Sequence, residues 1–361
     1  MYSRLARPAV LDIRPYEPGK PLEEVRRELG LRDLVKLASN ENPLGPSPLA
    51  VAAVRRAAGE IHRYPDPACH RLTLALAERL EVEPSWIICG NGADDLIRLA
   101  AEAFLDPGDE AVFADPSFIT YRYAVQLMNA RSVAVPLEGF TLDLGRMAEA
   151  VSPRTKLIFV CNPNNPTGTA VGCAALERLL ERLPEGVLVV LDEAYREYVA
   201  DPDYPDGLDY VRRGYPVLVL RTFSKIHALA GLRIGYGVAA PELIGVLRRP
   251  RQPFPVNVLA QEAALASLED AAHLARGREN NDAGKEFLYR SLEERGIAYV
   301  PTQANFLLVR VDDSRAAFQS LLRRGVIVRP ADAFGLSGFL RVTIGLPAEN
   351  RRFVEALAEG G

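Results

Sequence analysis

Residues 217–237 read VLVLRTFSKIHALAGLRIGYG. Val217 to Leu220 form an apolar, partly β-branched run of the kind that makes a buried strand. Two hydroxyls and one lysine follow, in Thr222-Phe223-Ser224-Lys225, then Arg233 and a second short apolar run that ends in glycines. A lone lysine after a strand is ordinarily a solvated charge. Lys225 instead stands between two apolar segments, and burial makes an amine give up its proton more readily, as an imine-forming lysine requires. The hydroxyls and the guanidinium are the donors a phosphate group would take.

Outward from this stretch, the chain repeats one rhythm from Trp86 onward. Trp86–Cys89 leads into Gly90-Asn91-Gly92 and a helix over 96–104. Glu110–Phe113 leads into Asp115-Pro116-Ser117-Phe118 and a helix to Met128. Leu157–Val160 leads into Cys161-Asn162-Pro163-Asn164-Asn165-Pro166-Thr167-Gly168 and a helix over 174–183, and Val187–Leu191 leads into Asp192-Glu193-Ala194-Tyr195. Short apolar strands alternating with helices predict a mostly parallel α/β sheet covered on both faces. In such sheets ligands bind beyond the carboxyl ends of the strands, where nearly every distinctive loop of this chain falls.

The texture changes near Arg251. Helices are expected over 257–275 and 280–295, strands over 305–311, 326–329 and 339–344, and helices over 314–324 and 348–358, which together make a smaller α/β domain. Ahead of the main sheet, residues 1–40 read as an arm with a short helix over 21–29. Helices are expected over 48–58 and 69–80, and the loop Ser39–Pro46, dense in amides and prolines, reads as rigid.

Composition bounds the function. Of 361 residues, 48% are hydrophobic and 25% charged, as in soluble globular proteins. A net charge of -4 without a basic patch gives no reason to expect nucleic acid. No stretch reaches membrane-spanning length and the start has no apolar leader core. The four scattered cysteines read as buried free thiols in a reducing compartment, so a cytoplasmic location is expected. The histidines have no metal-ligand spacing.

Other residues carry chemistry with a bland alternative beside it. Gly90-Asn91-Gly92 before a helix can present backbone N–H groups to an anion or simply turn the chain. Asp192, ending an apolar strand, is either a helix N-cap or the partner of a buried cation such as a protonated pyridine nitrogen. Asn165 and Tyr195 can hydrogen-bond a phenolic oxygen and Phe118 can stack on a ring, or each can be an ordinary turn or core residue. Arg341 inside an apolar strand, and Arg329 ending another, need an anion, whether a structural carboxylate or a substrate's carboxylate or phosphate.

Taken in order, the strings Tyr16-x-Pro-Gly-Lys-Pro, Leu37–Pro46, Arg63-Tyr64-Pro65-Asp66, Gly90–Asp94, Asn162–Gly168, Asp192–Tyr195, Thr222–Arg233 and Leu340–Gly345 resemble the pyridoxal-phosphate-dependent aminotransferases of fold type I, and within them the histidinol-phosphate aminotransferases. The resemblance spans essentially the whole chain. It implies an arm over 1–40 that joins the small domain and covers the site, a large cofactor-binding domain over 41–250 and a small domain over 251–361.

It also implies roles. Lys225 would make the imine link to pyridoxal 5'-phosphate and carry a proton, Asp192 would hold the ring N–H, and Asn165 and Tyr195 would bind the ring oxygen. Phe118, where the family commonly has tyrosine, would stack on the ring. The cofactor phosphate would sit on Ala93, Asp94, Thr222, Ser224 and Arg233, joined in a homodimer by the partner subunit's Tyr64. Tyr16, Asn165, Arg329 and Arg341 would bind the substrate. The implied reaction exchanges the amino group of L-histidinol phosphate with 2-oxoglutarate, giving imidazole-acetol phosphate and L-glutamate in histidine biosynthesis. Relatives that act on aromatic amino acids or decarboxylate threonine phosphate share the same lysine, aspartate and arginine.

Overall fold

A computed structural model of the chain describes residues 2–13, 15, 26–27, 30–31 and 33–359. Tyr16 and most of the expected helix over 21–29 lie outside the described residues. After a two-residue strand β1 (Val35–Lys36), the strands β2 (Ile87–Gly90), β3 (Glu110–Asp115), β4 (Arg131–Pro136), β5 (Thr155–Cys161), β6 (Leu188–Asp192), β7 (Val217–Thr222) and β8 (Gly235–Val238) follow. β2 to β8 make one seven-stranded sheet in the order β2-β8-β7-β6-β5-β3-β4, parallel throughout except for β8, which runs antiparallel to both neighbours. The expected mostly parallel sheet is present. β4 was not foreseen: at the sheet edge its residues are exposed or half-buried except for Val135, so no long apolar run marks it.

The central strands show why apolar runs build this sheet. Along β7, Val217 and Val219 point into one core and Leu218 and Leu220 into the other. Val189 and Leu191 of β6 oppose Leu188 and Val190 in the same way, and Ile158 and Val160 of β5 oppose Leu157 and Phe159. Both faces are buried, so the run is continuous rather than alternating with polar residues. The in-register pairing Cys161↔Asp192 and Asp192↔Leu220 brings the carboxyl ends of β5, β6 and β7 to one edge.

The second sheet, in the order β12-β13-β10-β9, is antiparallel and contains β9 (Tyr299–Val300), β10 (Phe306–Arg310), β12 (Arg329–Pro330) and β13 (Phe339–Thr343). The expected strand over 326–329 is split: β11 (Val326–Ile327) pairs instead with β1, and β12 joins β13. The expected helices over 257–275 and 280–295 break elsewhere, as Val258–Leu268 and Ala271–Glu293. Asp270 caps the second helix by accepting the His273 amide at 3.0 Å, a stronger start signal than the alanine spacing around it. Helix Val258–Leu268 buries Ala260, Ala263 and Ala264 in the core of the large sheet, although it follows the change of texture at Arg251. Cys69, Cys89 and Cys161 are buried free thiols, whereas Cys173 is half-buried at the start of an amphipathic helix. Among the described residues, no helix is long and apolar enough to cross a membrane.

An ion pair locks the turn after β6 to β7. The Arg221 guanidinium donates to Glu193 Oε2 and Asp206 Oδ1, each at 2.8 Å, and Glu193 Oε1 accepts the Gly207 amide at 2.8 Å. Arg221 and Glu193 are both buried. Removing one partner of such a pair strands the other charge. Glu193→Ala is therefore expected to cost roughly 3–5 kcal/mol, checked as a lower urea midpoint of unfolding; a midpoint within experimental error of the parent would show that Arg221 does not depend on Glu193.

Candidate active site

Between the two sheets, at the carboxyl edge of β5–β7, lies a cavity of about 270 Å³. Its lining includes Ala93, Asp94, Phe118, Asn165, Asp192, Tyr195, Thr222, Ser224, Lys225, Arg233, Arg329 and Arg341. Twelve of the sequence-derived candidates are thus brought together. Two are not among the lining residues: Tyr16, outside the described residues, and Tyr64, which is 82% exposed and stacks on Phe254 at 4.5 Å between ring centroids.

One end of the cavity is cationic. The helix Ala93–Phe104 starts here, so its first amides point outward and carry the positive end of the helix dipole. Gly92 has φ +84°, and a Cβ there would come within 2.6 Å of Arg233 Nη2. Gly235 packs so closely that a Cβ would meet the Ala93 amide nitrogen at 2.8 Å. The antiparallel strand β8 thereby draws Arg233 to the helix start, where it donates to Asp94 Oδ2 at 3.1 Å and to Ser224 Oγ at 3.5 Å. Thr222 Oγ1 accepts the Ser224 amide at 3.1 Å. Amides, hydroxyls and a guanidinium around one point are the donor set a phosphate monoester takes.

The floor carries a carboxylate that sequence reasoning left open between helix cap and cation partner. Asp192 is buried, and burial pushes its carboxyl up to about 6, against donation from Tyr121 and the Ala194 amide. Its oxygens take Tyr121 O–H at 2.8 Å and Ala194 N–H at 3.1 Å. It caps no regular helix, and no cation pairs with it among the described residues. A cationic ring nitrogen would supply what the floor lacks.

Lys225 opens partly on the cavity. Burial, and then the Arg341 charge, lower its amine to about 8, and its Nζ lies 5.4 Å from the centre of the Tyr195 ring. Near neutral pH the free-base fraction of this amine, though a minority, is far larger than that of an exposed lysine. Tyr195 accepts from Asn40 Nδ2 at 3.0 Å, and burial raises its phenol well above the usual range.

The opposite wall comes from the small sheet. Arg329 and Arg341 face each other across the β12–β13 pairing. Arg341 donates to Asn165 Oδ1 at 2.6 Å and to the Ala38 carbonyl at 2.9 Å, so it tethers the Asn162–Gly168 loop and the 37–42 segment at once. That segment is fixed further: Thr343 N–H donates to the Leu37 carbonyl, the Asn40 amide to Thr343 Oγ1, Asn305 to the Asn40 carbonyl and Asn42 to the Ile226 carbonyl. The amide-rich loop is rigid because its side chains replace a ladder of backbone bonds.

Sequence reasoning missed Asn40 as a site residue, although it lies in a quoted string, and Tyr121 entirely, since an aromatic residue within a helix reads as core. Glu41, Cys161 and Phe334 also line the cavity without having been singled out.

The raised Asp192 carboxyl has a consequence for the cofactor-free protein. A carboxyl raised from 3.8 to about 6 on folding contributes stability that is full below the unfolded value and is lost as pH rises through the folded one. Asp192→Asn escapes that loss. Its stability relative to the parent is expected to grow by about 2 kcal/mol between pH 4 and pH 7, measured by urea unfolding at both; a difference that stays constant with pH would contradict the buried, cation-free carboxylate.

The sequence matches the family described as "Aminotransferase class I and II" over residues 32–357. It is 55% identical over 355 residues to the histidinol-phosphate aminotransferase of Moorella thermoacetica, covering 98% of this chain and 92% of that one. The corresponding protein of Symbiobacterium thermophilum is 50% identical, with 97% of each chain covered. Among solved structures, the histidinol-phosphate aminotransferase of Sinorhizobium meliloti in complex with pyridoxal-5'-phosphate superposes with a TM-score of 0.90 at 29% identity, covering 98% of this chain and 96% of that one.

Proposed function

The chain belongs to the class I and II aminotransferases, and we propose that it exchanges the amino group of L-histidinol phosphate for the oxo group of 2-oxoglutarate, giving imidazole-acetol phosphate and L-glutamate. The observation that carries this reading is one cavity in which a lysine amine lowered to about 8 and a buried carboxylate lie below a wall bearing two arginines. Pyridoxal 5'-phosphate, when bound, supplies an electron sink for the negative charge that develops at the substrate carbon.

The donor set fits that group. The first amides of helix Ala93–Phe104, at Ala93 and Asp94, with Thr222, Ser224 and Arg233, would hold its phosphate. Asp192 would bind the ring nitrogen, Asn165 and Tyr195 the ring oxygen, and Phe118 would cover one ring face. Lys225 would link to the carbonyl carbon through its neutral amine, then take and return the proton at the substrate Cα. Arg341 and Arg329, with Asn165 and Tyr16, would grip the phosphate of one substrate and the carboxylate of the other. Two anionic substrates served in alternation explain why two guanidinium groups stand side by side on β12 and β13.

In this reading residues 41–250, with the helix Val258–Leu268 packed into their core, form the cofactor-binding lobe, the rest of 251–361 the small lobe and 1–40 an arm over the site, in a cytoplasmic homodimer. An exposed Tyr64 held by Phe254 and absent from its own chain's cavity supports donation across the interface, where the partner subunit's Tyr64 would complete the phosphate site.

Lys225→Ala is expected to abolish turnover while leaving the circular dichroism unchanged; near-normal transamination by this variant would end the mechanism. Mixing inactive Lys225→Ala with Tyr64→Ala should restore activity above either parent, because one site of the mixed dimer then carries neither change. Activity no greater than the parents' sum would place Tyr64 in its own chain's site. L-histidinol phosphate should convert the absorbance of the lysine-bound cofactor at lower concentration than L-phenylalanine does. Preference for phenylalanine, or carbon dioxide release from O-phospho-L-threonine, would reassign the substrate.

A further inference from the structure

The ring-binding end of the cavity depends on a side chain outside it. Tyr121 lies in the helix Ile119–Leu127, buried in the core beneath the sheet edge. Its phenol O–H donates to Asp192 Oδ2 at 2.8 Å while the Ala194 amide takes Oδ1, so each oxygen has one donor and the plane of the carboxylate is set. The phenol is itself fixed. Its ring stacks on Phe159 at 4.8 Å and meets Phe118 edge-on at 5.8 Å. Phe118 forms the cavity wall, so one tyrosine braces both the surface that would cover a ring and the carboxylate that would meet its nitrogen.

We infer that Tyr121 is a positioning residue for the cofactor, holding the Asp192 carboxylate as an oriented anion aimed at the ring nitrogen. The inference rests on the reading of Asp192 given above. The other ionisable groups around the carboxylate are Asp94 from the adjacent helix, Glu193 on the following turn, the Cys161 thiol on β5 and the Tyr195 phenol. The two acids disfavour its charge and neither thiol nor phenol is cationic, so the Tyr121 hydroxyl and the Ala194 amide are what favour the anion. A phenylalanine would fill the same apolar space without a hydroxyl to satisfy. The buried phenol is therefore accounted for by the carboxylate it serves.

The test uses pyridoxal phosphate binding to apoprotein from pH 5 to 9, together with the 15N resonance of ring-labelled cofactor in the reloaded enzyme. In the parent, affinity should fall as the pH drops below about 6. Tyr121→Phe should move that break up by about one pH unit, weaken binding about 10-fold at pH 5 but only about 2-fold at pH 7, and shift the 15N signal toward the unprotonated ring. Replacing Tyr121 with 3,5-difluorotyrosine, a stronger donor of nearly the same size, should move the break the other way and keeps the test valid should Tyr121→Phe fold poorly. Phe159→Leu disturbs the packing but keeps the hydroxyl, so it should lower the melting temperature and leave the break in place. A parental break and 15N signal in Tyr121→Phe, or an equal displacement in Phe159→Leu, would overturn the inference. Asp192→Asn separates the two levels: if it too kept parental affinity and 15N signal, the ring-nitrogen reading would fail and the role of Tyr121 with it. If it lost both while Tyr121→Phe kept them, only the role of Tyr121 would fall.

Discussion

Everything in this site is arranged around a carboxylate that the fold buries without a cation. Asp192 ends a strand whose neighbours on both sides are in register with it, so it cannot withdraw toward solvent. Burying an unpaired carboxylate is costly, and the cost appears as a carboxyl raised to about 6. The adjoining Arg221–Glu193 pair holds the strand ends that keep it there. Stability is given up locally at one strand end and recovered in two apolar cores, and the result is a buried carboxylate with no cation beside it among the described residues.

The rest of the cavity shows the same division between rigid support and unsettled charge. Lys225 lies close enough to Arg341 for the two charges to oppose each other, which with burial lowers the amine. Arg329 and Arg341 stand opposite one another on adjacent strands.

Much of this was legible in the sequence because buried parallel strands announce themselves. The runs at 157–160, 187–191 and 217–220 carry no polar residues, and the loops that follow them supplied Asn165, Asp192 and Lys225 directly. Legibility failed where packing outweighs pattern. The edge strand β4 has no apolar run, the break at Glu269–Asp270 hides in a helix-favouring stretch, and Val326–Arg329 reads as one strand though its halves join different sheets. Tyr121 was invisible because its significance lies in one hydroxyl, and composition and spacing record only its ring. Tyr64 is the reverse case: its string marks it, and the single chain leaves it exposed beside Phe254.

The strap over 37–42 has a consequence for how the molecule comes into being. Asn40 bonds to Thr343, 303 positions further along the chain, and Arg341 reaches back to the Ala38 carbonyl over the same separation. Chain entropy opposes such closures until nearly everything between has condensed. During synthesis, the large sheet can collapse while the second half of the small one has yet to leave the ribosome. The wall with the arginines, the tether on Asn165 and the amide that holds Tyr195 then arrive together as the last segment docks. The cavity is thus a late product of folding, and a chain truncated before β13 would keep the two cores of the large sheet while losing Arg341 and the pairing that places Arg329.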